Sequence, residues 1–275
     1  MAYLNLGCGN HFSTDEIWTN LDFISTDKHV IPHNLLKGIP MPDESFEVVY
    51  HSHVLEHFTR PDGFKFLAEC YRVLAPNGII RIAVPDLEQI ARNYLKFLDS
   101  GLQDEQNEQT RANYEWMLLE MYDQTVRNYG GGNMANYLFQ DEIINEAFVF
   151  QRIGEEGKAL RNYVVNGVTT PSPKKRRSLI DLGKAVVRRL NPFKMKAQDQ
   201  TALQIGRFRL GGEIHQWMYD RYSLGHLLKT LGFSNVTVTN AFTSNIPNWV
   251  GFELDGKDGE VRKPDSLFIE AIKKP

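Results

Sequence analysis

"MAYLNLGCGNHF", residues 1–12, sets an apolar run, Ala2 to Leu6, directly before Gly7-Cys8-Gly9. A strand running into Gly-x-Gly lets the backbone turn tightly and pass close to a ligand with no Cβ in the way. The next strand-like run, Trp18 to Leu21, is followed by Asp22, placed where one carboxylate can take both hydroxyls of a ribose. The pair points to a nucleoside-bearing cofactor. The dinucleotide pattern is incomplete, because position 12 is Phe. Only 12 residues separate Gly9 from Asp22, which leaves scarcely room for a long first helix whose N-terminus would hold a pyrophosphate. A cofactor without phosphates is therefore favoured over NAD, and an NAD-dependent oxidoreductase stays as an alternative.

Further strand-like runs lie at Val30-Ile31, Phe46 to Tyr50 and Ile79 to Val84. A helix is expected from about Pro61 to Leu74, with Phe64, Leu67, Ala68, Tyr71 and Leu74 on one face, ended by the turn Pro76-Asn77-Gly78. From Asp86 to Leu210 helical spacing dominates. Over Asp104 to Arg127, Tyr114, Met117, Leu118, Met121, Tyr122 and Val126 recur at steps of three and four. Near the end "YSLGHLLKTLGF" reads as a helix with Leu224, Leu227, Leu228 and Leu231 inward, before the strands "NVTVT" and "SLFIEAI". Apolar strands alternating with crossovers imply a parallel sheet covered on both faces. The expected organisation is a sheet domain, 1–95 plus 211–275, with a mostly helical insertion, 96–210, at the carboxyl edge where open α/β folds bind ligands.

With 275 residues, 42% of them apolar, the chain is long enough for one large domain with an insertion. A formal charge of −3 gives no reason to expect nucleic acid as the partner of the whole chain. Two cysteines, Cys8 and Cys70, offer neither a disulfide framework nor zinc spacing and suit a reducing compartment. No apolar run reaches about 18 residues, and the first ten residues show no leader pattern. A cytoplasmic protein is expected, with the strand at the start leaving the cover of the site to the insertion.

"LNLGCG", "NLDF", "HNLLKGIPMPDESFEVVYHSHVLEH", "FLAECYRVLAPNGIIRIAVPDLE" and "HQWMYDRYSLGHLLKTLGF" occur in the order found in the class I S-adenosylmethionine-dependent methyltransferases, and the chain resembles their type 11 branch over about 150 residues. That resemblance implies an α/β, Rossmann-like, seven-stranded mostly parallel sheet with a large helical insertion after the fifth strand. It implies S-adenosyl-L-methionine as cofactor and S-adenosyl-L-homocysteine as product. Gly7, Cys8 and Gly9 would pass the methionine part, Asp22 would hold the ribose, and Asn34 with Leu35 would lie by the adenine. Asn5 stands where an acidic residue is common, and His11 where the third glycine would be. His51 and Ser52, after the fourth strand, would line the methyl-donor pocket.

Methyl transfer from a sulfonium is an in-line displacement, so alignment and, for a hydroxyl acceptor, proton removal are what remain for the protein. Histidine is the natural base near neutral pH. His53, His57 and His215 are the candidates. Each has a scaffold reading beside it, and His51 is expected to be partly exposed. Glu213 could orient His215 or cap the following helix. Asp86 alone follows the fifth strand, too little for a hard-cation site, so no metal is expected. The expected reaction is O-methylation of a sugar or other small hydroxyl acceptor, in surface-polysaccharide or lipid-linked glycan synthesis. A non-catalytic scaffold of the same fold is the alternative.

Residues 171–196 hold nine basic residues against Asp181. A helix there would carry Leu179, Leu182, Val186 and Leu190 as a stripe opposite Lys184, Arg188 and Arg189. Three roles are open to it: packing on the insertion, peripheral contact with the inner face of the plasma membrane through residues 174–193, or a polyanionic partner.

Overall fold

The sheet grows outward from the first strand. β1 (Tyr3–Leu6) is buried at all four positions, with no alternation, because both faces of a parallel sheet are covered. β2 (Trp18–Asp22), β3 (Val30–Pro32), β4 (Phe46–Ser52) and β5 (Leu74–Pro85) join it in parallel, and β6 (Phe233–Thr239) and β7 (Ser266–Lys273) complete seven strands. The order is β3-β2-β1-β4-β5-β7-β6, with β7 antiparallel to both its neighbours. This computed structural model describes residues 2–25, 27–165 and 197–275. The basic stretch 171–196, and with it the membrane contact expected through 174–193, lies outside the described residues. The fold is the expected Rossmann-like one, and no helix intervenes between β1 and β2.

Helix α1 (Arg60–Val73) starts where Thr59 Oγ1 accepts from Asp62 N and Pro61 fits the first turn. It buries Gly63, Phe66, Leu67, Cys70 and Val73, so of the expected face Leu67 and Leu74 are buried and Tyr71 packs partly on the core, but Phe64 is 42% exposed. A side chain at position 63 would meet Tyr219 Oη at 3.0 Å, so the helix approaches through its smallest residues. Pro76-Asn77-Gly78 does not end the helix in a free turn. It lies inside β5 with Asn77 at φ 64°, where the pairing with β4 shifts register.

Between β5 and the return to the sheet lie α2 (Leu87–Gln103), α3 (Glu108–Val126), α4 (Gly132–Leu138), α5 (Glu146–Val165, broken at Gly154) and α6 (Ala197–Arg209). Ile90, Phe97, Trp116, Met117, Tyr137, Leu138, Ile143 and Val149 form their own core. On α3 the expected stripe holds at Met117, with Tyr114 and Met121 partly buried, but Tyr122 and Val126 are exposed, while Asn113, Glu120 and Asp123 are buried. Those burials are tolerated because the groups are paired. Glu120 takes a bidentate Arg152, at 2.7 Å for the shortest contact, and Asp123 accepts from Asn133 N and Met134 N. Helix α7 (Arg221–Thr230) follows a capping box formed by Asp220 and Ser223.

Arg81 of β5 is fully buried, with Nε 2.8 Å from Asp255 Oδ2 and Nη1 2.7 Å from Glu270 Oε1. Its remaining donors reach the carbonyls of Asn240 and Thr243, its guanidinium lies 4.4 Å from the Trp249 ring centre, and Tyr50 Oη donates to Asp255 Oδ1 at 2.6 Å. The chain between β6 and β7 is thereby fixed to the sheet. Arg81→Ala should cost about 3–5 kcal/mol, since two carboxylates lose their buried counter-charge. Urea unfolding of the two proteins measures it.

Candidate active site

Two loops at the carboxyl ends of β1 and β4 meet. Gly7 and Gly9 sit at φ 64° and 55°, a backbone region that favours glycine. A Cβ on Gly7 would lie 2.4 Å from Val54 Cγ2, whereas one on Gly9 would meet nothing within 4 Å. The glycine turn is thus packed on the loop after β4 on one side and open on the other. Asp22, at the end of β2, accepts from Gly9 N at 2.8 Å and Ile24 N at 3.2 Å. An ionised carboxylate has about four acceptor sites, so Asp22 keeps capacity for two more donors.

The other expected cofactor residues divide. Asn5 is buried and donates to Asn20 Oδ1, tying β1 to β2 from within. Asn34 caps the short 3-10 turn Leu35–Lys37, its Oδ1 accepting from Leu36 N at 3.0 Å, and Leu35 packs partly on the main core. Burial, then Asp22 nearby, push the Cys8 thiol up to about 12, which leaves it unreactive. His51 is a correction: it is fully buried against Phe66, not partly exposed, because its position on β4 faces α1. Ser52 lies half-buried at the end of the strand. His11 reaches Glu253 O at 3.3 Å, so the chain after the glycines is held to the segment before β7.

The three candidate bases do come together, around a residue the sequence reading passed over. Glu56 is fully buried, and its Oε1 lies 3.3 Å from His53 Nδ1, 3.9 Å from His57 Nε2 and 4.0 Å from His215 Nε2. Burial alone would raise its pKa, but the imidazoles of His53, His215 and His57 hold it well below the usual carboxylate range. Its backbone carbonyl accepts from Gln216 N at 2.7 Å and Trp217 N at 3.2 Å, which fixes the return from the insertion. His215 is pushed down to about 3 by burial, so it stays neutral and is a poor base. Glu213 neither orients it nor caps a helix: its Oε1 accepts from Gly131 N and faces Arg127.

His53 differs from the other two. It takes an unusual left-handed φ of 55°, its Nε2 is 2.7 Å from Ser266 Oγ, and it lines a cavity of about 230 Å³. Gln124 of α3 and Arg127 just after it, Met134 of α4, and Lys263 and Asp265 before β7 share that cavity. Both the sheet edge and the inserted helices therefore contribute its walls.

Residues 4–82 match the family model described as a methyltransferase domain. The matched segment, under a third of the chain, is similar to methyltransferase domains. A probable S-adenosylmethionine-dependent methyltransferase of Mycolicibacterium smegmatis is 34% identical over 98 residues, 30% of this chain and 37% of the relative. The chain thus spans little more than a third of that relative's length. Among solved structures, a SAM-dependent methyltransferase from Thermotoga maritima is 11% identical, covering 99% of this chain and 82% of that one, with a TM-score of 0.40. One from Archaeoglobus fulgidus is 14% identical, covering 99% and 86%, with a TM-score of 0.38. The cofactor of the methyltransferase domain family is S-adenosylmethionine, and the open side of Gly9 with the spare acceptor sites of Asp22 fits it.

Burial also pushes His51 down to about 4. An ordinary histidine titrates near 6.5, so between about 4 and 6.5 the unfolded chain binds more protons and stability falls as pH falls. Urea midpoints measured from pH 7 to pH 4.5 should decline, and His51→Leu should decline less steeply.

Proposed function

We propose that the protein is an S-adenosylmethionine-dependent methyltransferase that methylates a hydroxyl group of a polar small acceptor, a sugar above all, with His53 as general base. The observation that carries this reading is the position of His53, which lines the cavity while its neighbour Val54 packs on Gly7. The cofactor supplies an electrophilic methyl group on a sulfonium. Gly7, Gly9 and Asp22 orient it, with Asp22 taking the ribose hydroxyls.

His53 Nδ1 faces the ionised Glu56 and so carries the proton, which leaves Nε2 with its lone pair for a hydroxyl. Ser266 Oγ occupies that lone pair here, and an acceptor hydroxyl would compete with it. An acceptor hydroxyl taking the methyl group would pass its proton to Nε2 while the sulfonium leaves as the neutral thioether, and the imidazolium would be stabilised by Glu56 behind it. Arg127, Gln124, Lys263 and Asp265 supply polar groups for an acceptor's hydroxyls, while Met134, Ala135, Leu138, Ile153 and Leu160 make much of the remaining wall apolar. A place in surface-polysaccharide or lipid-linked glycan synthesis, close to a membrane, rests on the basic stretch 171–196 of the sequence.

Methyl transfer from labelled cofactor to cell-extract fractions, followed by identification of the labelled product, tests the acceptor class; label in a protein or nucleic acid fraction alone would overturn it. His53→Ala should lower kcat by about 10²-fold or more while calorimetry finds cofactor affinity unchanged. Gly9→Ala has room for its methyl group but sits at φ 55°, so it should cost about 1–2 kcal/mol of stability without disrupting the fold. Its added methyl group would enter the cofactor's place and weaken S-adenosylmethionine binding at least about tenfold, a loss of roughly 1.4 kcal/mol.

A further inference from the structure

His57 and His215 stand outside the proton transfer assigned to His53, yet both are aimed at the same buried carboxylate oxygen. His57 Nδ1 is 3.2 Å from the carbonyl oxygen of Ile214, which can only accept, so Nδ1 carries the proton and Nε2 carries a lone pair. That lone pair lies 3.9 Å from Glu56 Oε1, an oxygen that is itself fully buried and accepts no hydrogen bond of ordinary geometry. In the neutral ring these are two electron-rich atoms facing each other in a buried site, an arrangement relieved by a proton or by a metal ion between them. His215 adds Nε2 at 4.0 Å from the same oxygen, and its ring stands 5.0 Å from that of His57, nearly perpendicular. All three ligating atoms lie within 4.8 Å of one another.

We propose that Glu56 Oε1, His57 Nε2 and His215 Nε2 bind a borderline divalent cation of the Zn2+ class. Two imidazoles and one carboxylate are a donor set this ion takes readily, and tetrahedral coordination at its usual bond lengths spaces ligand atoms roughly 3.4 Å apart. The observed spacings to Glu56 are about half an ångström wider, a contraction within reach of side-chain torsions. The His57 Nδ1–H held by a backbone carbonyl is the outer partner that metal-bound histidines commonly have. The His57 side chain is 29% exposed, which gives the ion an entry path and leaves a fourth position for water. An ion here would join the loop after β4 to the segment returning from the insertion. The sequence reading weighed only a hard-cation site of carboxylates and expected no metal; the nitrogen-rich set comes from residues 57 and 215, which only the fold brings together. The inference does not rest on the methyl-transfer reading.

The test adds Zn2+ to the full chain after removal of metal by a chelator. Calorimetry should find one ion per chain, and the thermal midpoint should rise with Zn2+ concentration. His57→Gln and His215→Gln should each weaken binding at least about tenfold, while His29→Gln on the surface should leave it unchanged. No saturable binding, or binding undiminished in both variants, would overturn the proposal. Should either variant fail to fold, Co2+ added to the unaltered protein decides. The intense visible bands of a four-coordinate site are expected, and the pale spectrum of aqueous Co2+ would sink the idea. Methyl transfer is assayed separately, so loss of one reading leaves the other standing.

Discussion

A carboxylate cannot be taken wholly out of water unless its charge is answered, and Glu56 has no exposure at all. Around it stand three imidazoles, those of His53, His57 and His215, with the His53 Nδ1 nearest at 3.3 Å. His53 and His57 come with the loop after β4, but His215 must be delivered from the far end of the insertion. The backbone does this at the same residue, since the Glu56 carbonyl accepts from Gln216 and Trp217. His215 N in turn donates to Gln124 O on α3. One buried charge thus fixes the sheet edge, the inserted helices and the returning chain relative to one another, and the walls of the His53 cavity come from those same pieces.

The sheet was largely legible in the sequence because its signals are local. A strand that ends in Gly-x-Gly, a second that ends in an aspartate and a helix between two apolar runs each lie within about twenty residues, where side-chain period and turn chemistry decide the outcome. Glu56 was not legible as a centre. In sequence it is one acidic residue between Leu55 and His57, and the partners that give it meaning, Ser266 through His53 and His215 directly, lie 150 residues or more away. Arg81 is the same case on the other side of the sheet: inside an apolar strand it looks like an interruption, and only Asp255 and Glu270 explain it.

The helices fail in an instructive direction. Counting apolar residues put Phe64 on the inward face of α1 and Tyr122 and Val126 on that of α3, yet these are exposed, while Gly63 on α1 and Glu120 and Asp123 on α3 are buried beside Phe66, Leu67, Trp116 and Met117. On α1 the close approach to Tyr219 selects Gly63 over Phe64. On α3 the partners Arg152 and the start of α4 make Glu120 and Asp123 acceptable inside, and Tyr122 and Val126 are displaced to the surface. Hydrophobic period reports what a helix can bury; the neighbours' size and charge choose among the faces it offers.

The glycine turn and the loop that carries His53 are mechanically one unit. Gly7 must be glycine for two independent reasons, its positive φ and the 2.4 Å approach of Val54, and Val54 is the residue after His53. With no helix between β1 and β2, the turn has no N-terminal dipole to lean on, and its conformation is held instead by Gly7 N and Cys8 N on the Leu21 carbonyl and by Gly9 N on Asp22. Under the proposed reading, a shift of the loop after β4 would move both what aligns the cofactor and what receives the proton. For an in-line displacement, where small errors of alignment are costly, coupling the two through a single van der Waals contact is a more economical device than positioning each separately.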